Sequence, residues 1–199
     1  MDIERRFRPF AEFRADDGGI LKGHAATFND WYDLGFFEER IAPGAFDNVL
    51  GDDVRALFNH DPNHVLGRTK SGTLKVSVDK RGLYTEITLP GSATALREAI
   101  ERGDIDQMSF GFTVAEDTWE KDAQEDKERR TITRIGKLYD VSPVTFPANP
   151  NTDVALRSLA EHREIQGQTT TNSEAIVKPV DIEALNRLRL ELVKRRMAK

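Results

Sequence analysis

The chain of 199 residues has no cysteine and few aromatic residues, which make up 8% of the sequence. Without cysteine it can form neither a disulfide scaffold nor a thiolate zinc site, and it has no cysteine nucleophile. No apolar run approaches the roughly 18 residues that a membrane helix needs, and the first residues lack the apolar stretch of a secretory signal. A formal net charge of −5 argues against a nucleic-acid-binding protein. We therefore expect a soluble protein of a reducing compartment, with neither nucleic acid nor membrane as partner.

Charge and composition divide the chain unevenly. Residues 179–199 hold three acids and six bases, so this segment carries +3 and residues 1–178 carry −8. The stretch 161–178 is polar and has no aromatic residue, which is typical of a linker that cannot bury a core. Apolar residues between 182 and 192 then recur at helical spacing. The pattern predicts one domain over 1–160, a polar linker, and a basic amphipathic helix or solvated tail.

Strand patterns dominate the predicted domain. Apolar and polar residues alternate over 74–78 and again over 83–89 around a glycine-containing turn, which predicts a β-hairpin. Residues 116–130 carry 11 charges in 15 positions, and we interpret them as a solvated hairpin excursion between two further strands. Because the strands do not alternate regularly with helices, the pattern indicates a mainly β (α+β) fold, with an antiparallel sheet or barrel and a few helices around it.

Two helices are predicted. A short one opens at Pro43 and runs toward Leu50. A clearer one runs from Ser92 or Ala93 to about residue 102, with Ser92 as its N-cap, since a serine hydroxyl can accept a hydrogen bond from a free backbone N–H group. Gly103 suits the left-handed position after the helix.

Ser109 is a candidate nucleophile. Met108, Phe110 and Phe112 alternate with Ser109 and Gly111, so a strand here would place the serine and the glycine on the face opposite the large apolar side chains. The glycine would leave open space for a bulky acyl group beside the hydroxyl. A close backbone contact within a sheet would favour the same glycine, so both interpretations stay open.

His60 is the candidate base, because a serine hydroxyl is a weak nucleophile until a neighbouring base takes its proton. It follows the apolar pair 57–58, at the end of a buried strand. His64 lies four residues on, which on a helix would suggest a metal-binding pair. Pro62 between them, flanked by aspartate and asparagine, predicts a turn instead. A metal site with His64 is a weaker alternative.

Asp140 is the candidate carboxylate. It interrupts an otherwise apolar strand pattern from Leu138 to Val144. An acid buried there needs a partner, because burying an unpaired charge costs several kcal/mol. An aspartate facing water from an edge strand would show the same pattern, and spacing alone does not unite the three residues.

Five blocks occur in an order that can be compared with known families. They span much of the predicted domain. The blocks are GHAATF (23–28), RIAPGAF (40–46), NHD with LGR (59–61 and 66–68), MSFGF (108–112) and DVSPVTFPANP (140–150).

In this order the blocks resemble the prohead proteases of tailed bacteriophages, serine peptidases distantly similar to the herpesvirus assemblin-type proteases. The resemblance implies a herpesvirus-protease-like β-barrel surrounded by helices. It places the family's histidine on His60 and its serine on Ser109. The third residue is usually a glutamate, and here that position is Asp140. The resemblance implies no metal or cofactor. The segment around Gly67 is a hypothesis for the backbone N–H groups that would stabilise the oxyanion.

The resemblance also implies a place of action. The enzyme would work in the bacterial host cytoplasm, inside the immature capsid. There it would cleave scaffold or the scaffolding segment of the major capsid protein, and also itself, and residues 161–199 could be a self-cleavable docking extension. A homo-oligomer is left open. Two other classes stay in competition: an inactive scaffold or capsid-binding module, and a metal-dependent hydrolase using His60 and His64.

Overall fold

The computed structural model describes residues 3–9, 14–15, 19–121, 127–146 and 153–168. Strands predominate in these residues, so the predicted mainly β class is confirmed. A 3₁₀ turn lies at Thr69–Ser71. In chain order the strands are β1 (Glu4–Pro9), β2 (Arg14–Ala15), β3 (Ile20–Thr27), β4 (Tyr32–Asp33), β5 (Glu38–Ile41), β6 (Arg55–Phe58), β7 (Asp61–Arg68), β8 (Leu74–Val78), β9 (Gly82–Thr88), β10 (Gln107–Lys121) and β11 (Glu128–Val144), and the helices are α1 (Thr94–Glu101) and α2 (Asp153–Gln168).

The strands form two sheets. The larger has seven strands in the order β1-β10-β11-β5-β4, and the β6–β7 pair joins it through β11. The long strand β10 pairs antiparallel with β1 and β11, whereas β5 and β6 run parallel to different parts of β11. The smaller sheet has the order β2-β3-β9-β8 and is antiparallel. Among the described residues these pairings do not close into a barrel.

The core contains apolar side chains from both sheets. Phe110, Phe112 and Ile132 of the larger sheet belong to the same buried cluster as Leu83 and Ile87 of the smaller one. Each such side chain stabilises the fold by about 1.5–3 kcal/mol through its removal from water. Since side chains alternate along a strand, burying the phenylalanines of β10 on one face turns its small and polar residues to the opposite face. That second face carries the site described below.

Helix α1 lies close to its predicted position. Its buried residue Ile100 is in the core, and Leu96 and Ala99 pack against it. Gly103 has φ +80°, which confirms its predicted left-handed conformation. The predicted N-cap is wrong: Ala93 occupies that position, and no side chain caps the helix.

The predicted helix from Pro43 to Leu50 is also wrong, because this segment is a series of turns. Backbone bonds of the i to i+3 type recur there, including Asp47 N–H to Gly44 O at 3.1 Å, and none continues as an α-helix. Gly44 has φ +86°, outside the helical region. The turns let Phe46 enter the core, where it is fully buried.

Both predicted hairpins are present. Strands β8 and β9 pair across the turn at 79–81, as the alternation predicts. The charged run 116–130 lies in the β10–β11 hairpin, although the strands reach further into it than expected, to Lys121 and back from Glu128. Residues 122–126 lie outside the described residues.

The chain divides into two compact units, 1–155 and 156–199. Helix α2 ends at Gln168, so the first eight residues of the predicted linker are helical. The remainder of that linker and the predicted basic helix over 179–199 lie outside the described residues. In the described ranges, no helix is both long and apolar enough to cross a bilayer.

Candidate active site

Three side chains from separate elements meet on the polar face of the larger sheet. The His60 Nε2 atom lies 2.6 Å from the Ser109 Oγ atom. The other ring nitrogen, Nδ1, lies 2.5 Å from the Asp140 Oδ1 atom. The structure thus brings together all three residues selected from the sequence, which lie 49 and 80 positions apart in their two pairs.

Strands β10 and β11 place the serine and the aspartate side by side. In their antiparallel register, Ser109 lies opposite Ser142, and Gly111 lies opposite Asp140. Opposed residues point to the same face of a sheet. Asp140 is only 7% exposed, so its interpretation as a water-facing acid of an edge strand is wrong.

Gly111 makes room for the aspartate. A Cβ atom added at this position would collide with Asp140 Oδ2. The predicted open space for an acyl group is therefore occupied by the carboxylate, and the close contact at Gly111 is with this side chain rather than with the backbone that the alternative named. Gly111 lets the carboxylate lie over β10 and reach the histidine.

A two-residue turn carries the histidine. Phe58 pairs with Asp61, and the residues between them, Asn59 and His60, have φ +54° and +58°. Positive φ at both central positions is the pattern of a type I′ hairpin turn, and asparagine and histidine tolerate it better than most residues. The turn therefore lies two residues before the predicted one, and Pro62 belongs to strand β7.

Asn59 attaches this turn to β11. Its backbone N–H donates to Pro143 O at 3.0 Å. Its side-chain carbonyl accepts from the Thr145 N–H at 2.8 Å, and its amide donates to Thr145 Oγ1 at 3.2 Å. Because β11 also carries Asp140, these three bonds fix the position of His60 relative to its carboxylate partner.

The hydrogen bonds define the protonation of the imidazole. An ionised carboxylate can only accept, so Nδ1–H of His60 donates to Asp140 and leaves Nε2 to accept from the Ser109 hydroxyl. A second donor, Ser142 Oγ, lies 2.6 Å from the same Asp140 oxygen. Ser109 and Ser142 are fully buried, and the His60 side chain is 10% exposed. Exclusion of water strengthens these charge-dependent contacts.

His64 does not share a site with His60. Its Nδ1 atom lies 2.9 Å from Asp61 Oδ2, and its side chain is 65% exposed. Both ring nitrogens of His60 are already engaged by Ser109 and Asp140. Across the described ranges, no group of three or more histidine and acidic side chains is arranged to hold a metal ion.

The segment around Gly67 stays a prediction for the oxyanion donors. In the sheet order, strand β7 is separated from β10 by β6 and β11. The Arg68 N–H already donates to Thr73 Oγ1 at 2.9 Å. The Arg68 guanidinium hydrogen-bonds Asp53 and lowers the pKa of that carboxyl to about 2.

The arrangement has the components of nucleophilic catalysis. A hydroxyl contacts a base, and the base is oriented by a carboxylate that is itself held by a second hydroxyl. Such a chain can take the proton from Ser109 as its oxygen attacks a carbonyl carbon. In chemical class it is a serine, histidine and aspartate site.

Comparison with known proteins agrees with this class. The model of the caudovirus prohead serine protease family matches residues 10–165, and the chain belongs to that family. It is 34% identical over 144 residues to the prohead protease of Enterobacteria phage HK97, an alignment that covers 69% of this chain. The alignment spans 59% of the relative's length. No solved structure was found to match.

Sequence reasoning missed two parts of the site. Ser142 could have been found from its spacing, since residues 140 and 142 share a face of any strand. Asn59 precedes the histidine in a turn, but its bonds to Thr145 depend on sheet pairing across 86 positions. Local sequence patterns contain no signal for that pairing.

Proposed function

We propose that the chain is a serine endopeptidase in which Ser109 is the nucleophile, His60 the general base and Asp140 the residue that orients the imidazole. The observation that carries this proposal is the continuous hydrogen-bonded chain from the Ser109 hydroxyl through both nitrogens of His60 to Asp140. These groups perform acyl transfer without a metal or cofactor in the reaction.

In the proposed reaction, Ser109 Oγ attacks the peptide carbonyl while its proton passes to His60 Nε2. The imidazolium is stabilised by Asp140 through the Nδ1–H bond. It then gives the proton to the leaving amine, so the C–N bond breaks and an acyl-enzyme remains on Ser109. Water repeats the sequence, with His60 as base again, and releases the acid. Ser142 keeps the Asp140 carboxylate in position throughout.

The biological setting is proposed from family membership and from the name of the HK97 relative. We propose cleavage of the major capsid protein or scaffold inside the prohead, in the host cytoplasm, and of the chain itself. Residues 1–160 would be the protease domain, with 179–199 as a separate docking tail and the part of 161–178 that follows helix α2 as linker. A herpesvirus-protease-like fold and a homo-oligomer belong to the same proposal.

The test is Ser109→Ala with co-expressed major capsid protein. We expect capsid-protein processing to fall by at least about four orders of magnitude, because the nucleophile is lost. Ser77→Ala is the matched control, since Ser77 is an exposed strand serine of the other sheet. Intact masses of capsid protein and protease measure processing and self-cleavage together.

The same assay distinguishes the alternatives. A metal-dependent hydrolase would lose activity with a chelator and keep it in Ser109→Ala. An inactive binding module would associate with the capsid protein without changing its mass. Processing that is unchanged in Ser109→Ala would contradict the proposal.

A further inference from the structure

A mostly apolar cavity of about 500 Å³ lies beside the hairpin that carries His60. Phe58 and Leu66 line it from this hairpin, Leu96 from α1, and Ile105 from the segment before β10. Among the described residues its lining contains no acid, lysine or arginine, and the polar side chains in it are Asn63, His64 and Ser92. Its size is in the range of ligand-binding pockets.

Two residues that line the cavity are close in sequence to residues of the candidate active site. Phe58 is two residues before His60, so their Cα atoms are within about 7 Å of each other. Ile105 is four residues before Ser109, a distance of at most about 14 Å. A polypeptide whose side chain occupies this cavity can therefore place its backbone at Ser109 within a few residues.

The hairpin beside the cavity exposes one stretch of β7. The pairing of β6 with β7 skips residues 62–64, which bulge between Asp61 and Val65. Residues 62–65 are exposed, including the large apolar side chain of Val65 at 52%. The cavity is thus bordered by side chains that a polypeptide in solution can contact.

A second exposed apolar side chain lies near the turn in the sequence. Phe146 is 82% exposed and follows Thr145, the residue that bonds to Asn59 in the turn that carries His60.

We propose that the cavity is a specificity subsite that takes a large apolar side chain of the substrate polypeptide. This inference rests on the proposed protease function and adds a substrate class to it. Leucine, isoleucine, methionine or phenylalanine would fill the cavity, whereas a lysine side chain would lose its hydration there and meet no carboxylate among the lining residues.

Cleavage of defined peptides is the first test. Twelve-residue peptide mixtures carry leucine, phenylalanine, alanine, aspartate or lysine at one central position and random residues elsewhere, and mass spectrometry locates the cut. We expect kcat/KM for leucine or phenylalanine at one fixed distance from the cut to exceed that for alanine by at least about tenfold. The aspartate and lysine mixtures should be cut least.

A filled cavity is the second test. Ala95 lines the cavity from an exposed position on α1, so Ala95→Trp blocks the cavity at little cost to folding. We expect it to abolish the apolar preference. Thr94→Trp, on the same helix but outside the lining, should keep it. Thermal unfolding of both variants checks that the fold is intact.

Binding without catalysis separates this inference from the proposed function. Fluorescence anisotropy with Ser109→Ala protein should show about tenfold tighter binding of the leucine mixture than of the alanine mixture, and Ala95→Trp should remove the difference. If this pattern holds but the wild type cuts nothing, the subsite stands and the protease proposal fails. If the wild type cuts without apolar preference and Ala95→Trp has no effect, the subsite is overturned.

Discussion

Two buried polar clusters of the seven-stranded sheet differ in how their charges are arranged. The ion cluster contains Glu4, Arg6, Glu39 and Arg130, each at most 4% exposed. Arg6 donates to Glu39 at 2.6 Å and Arg130 to Glu39 at 3.0 Å. The candidate active site has one carboxylate, Asp140, which is bonded by an imidazole and one hydroxyl, and a second hydroxyl, Ser109, bonds the far side of that imidazole.

The pKa shifts of the ion cluster follow from this arrangement. Burial acts to raise the pKa of Glu39, but the attraction of Arg6 and Arg130 outweighs it and leaves the pKa lowered. Burial likewise opposes the charge of Arg6, whose pKa is nevertheless raised by Glu39 and Glu4. The charged forms of Arg6 and Glu39 are therefore favoured, and the cluster joins β1, β5 and β11. The ion cluster pairs opposite charges, whereas the partners of Asp140 are an imidazole and a hydroxyl.

The largest expected effect is a loss of kcat when the Asp140 carboxylate is removed from the candidate active site. Asp140→Asn should lower kcat by about four orders of magnitude, because an amide favours the wrong imidazole tautomer while preserving shape. Peptide hydrolysis measures it. Asp104→Asn, at a half-exposed site, should leave kcat unchanged. Full activity in Asp140→Asn would contradict the proposed role of Asp140 in orienting the imidazole.

Breaking the ion cluster should lower the stability of the fold and leave kcat nearly unchanged. Glu39→Gln leaves Arg6 and Arg130 short of a buried countercharge and should lower the free energy of unfolding by about 3–5 kcal/mol. The kcat of the folded variant should stay within about threefold of wild type. Urea unfolding measures stability, and Glu116→Gln, which breaks the exposed pair with Arg134, should cost no more than about 1 kcal/mol.

The pH dependence of Glu39→Gln sharpens this result. The lowered pKa of Glu39 contributes stability that is fully present above its unfolded value of about 4.3 and is lost as pH falls through the folded pKa. Wild-type stability should therefore fall steeply below about pH 4.3. In Glu39→Gln that fall should be smaller. Equal acid slopes in the two proteins would contradict the assigned charge of Glu39.

The smallest expected effect comes from Asn59, which positions His60 without contacting substrate. Asn59→Ala loses the side-chain bonds with Thr145. It also places alanine, which tolerates positive φ less well than asparagine, at a φ of +54°. We therefore expect kcat to fall about tenfold with little change in KM. Asn59→Asp keeps the acceptor for the Thr145 N–H and should recover part of the rate. A rise in KM with unchanged kcat would instead assign Asn59 to substrate binding.

The sequence predicted features determined by local pattern. The β8–β9 hairpin and α1 follow from residue alternation and helical spacing, and both were located within a few residues. The pattern at 43–50 predicts a helix, but the structure has turns there, because the conformation of Gly44 and the burial of Phe46 depend on the whole core. The three site residues were named individually.

The sequence spacing of the three site residues does not predict that their side chains meet in the fold. Asp140 reaches His60 because β6 pairs parallel with β11, and it lies over Gly111 because of one register of β10 with β11. The ion cluster likewise joins residues up to 126 positions apart. A sequence pattern records which residues can share a strand face, but sheet order decides which faces meet.

The position of β11 in the sequence determines when the candidate active site is completed during synthesis. This strand supplies Asp140, Ser142 and the anchor for the His60 turn, and it is the last strand of the described sheets. During synthesis, Ser109 and His60 leave the ribosome before the strand that aligns them. Asp140 cannot orient His60 until β11 has paired, so under the proposed function a partly synthesised chain would hold Ser109 without an oriented base. On that proposal proteolysis would follow completion of the sheet, and the order of residues along the chain would act as a built-in delay.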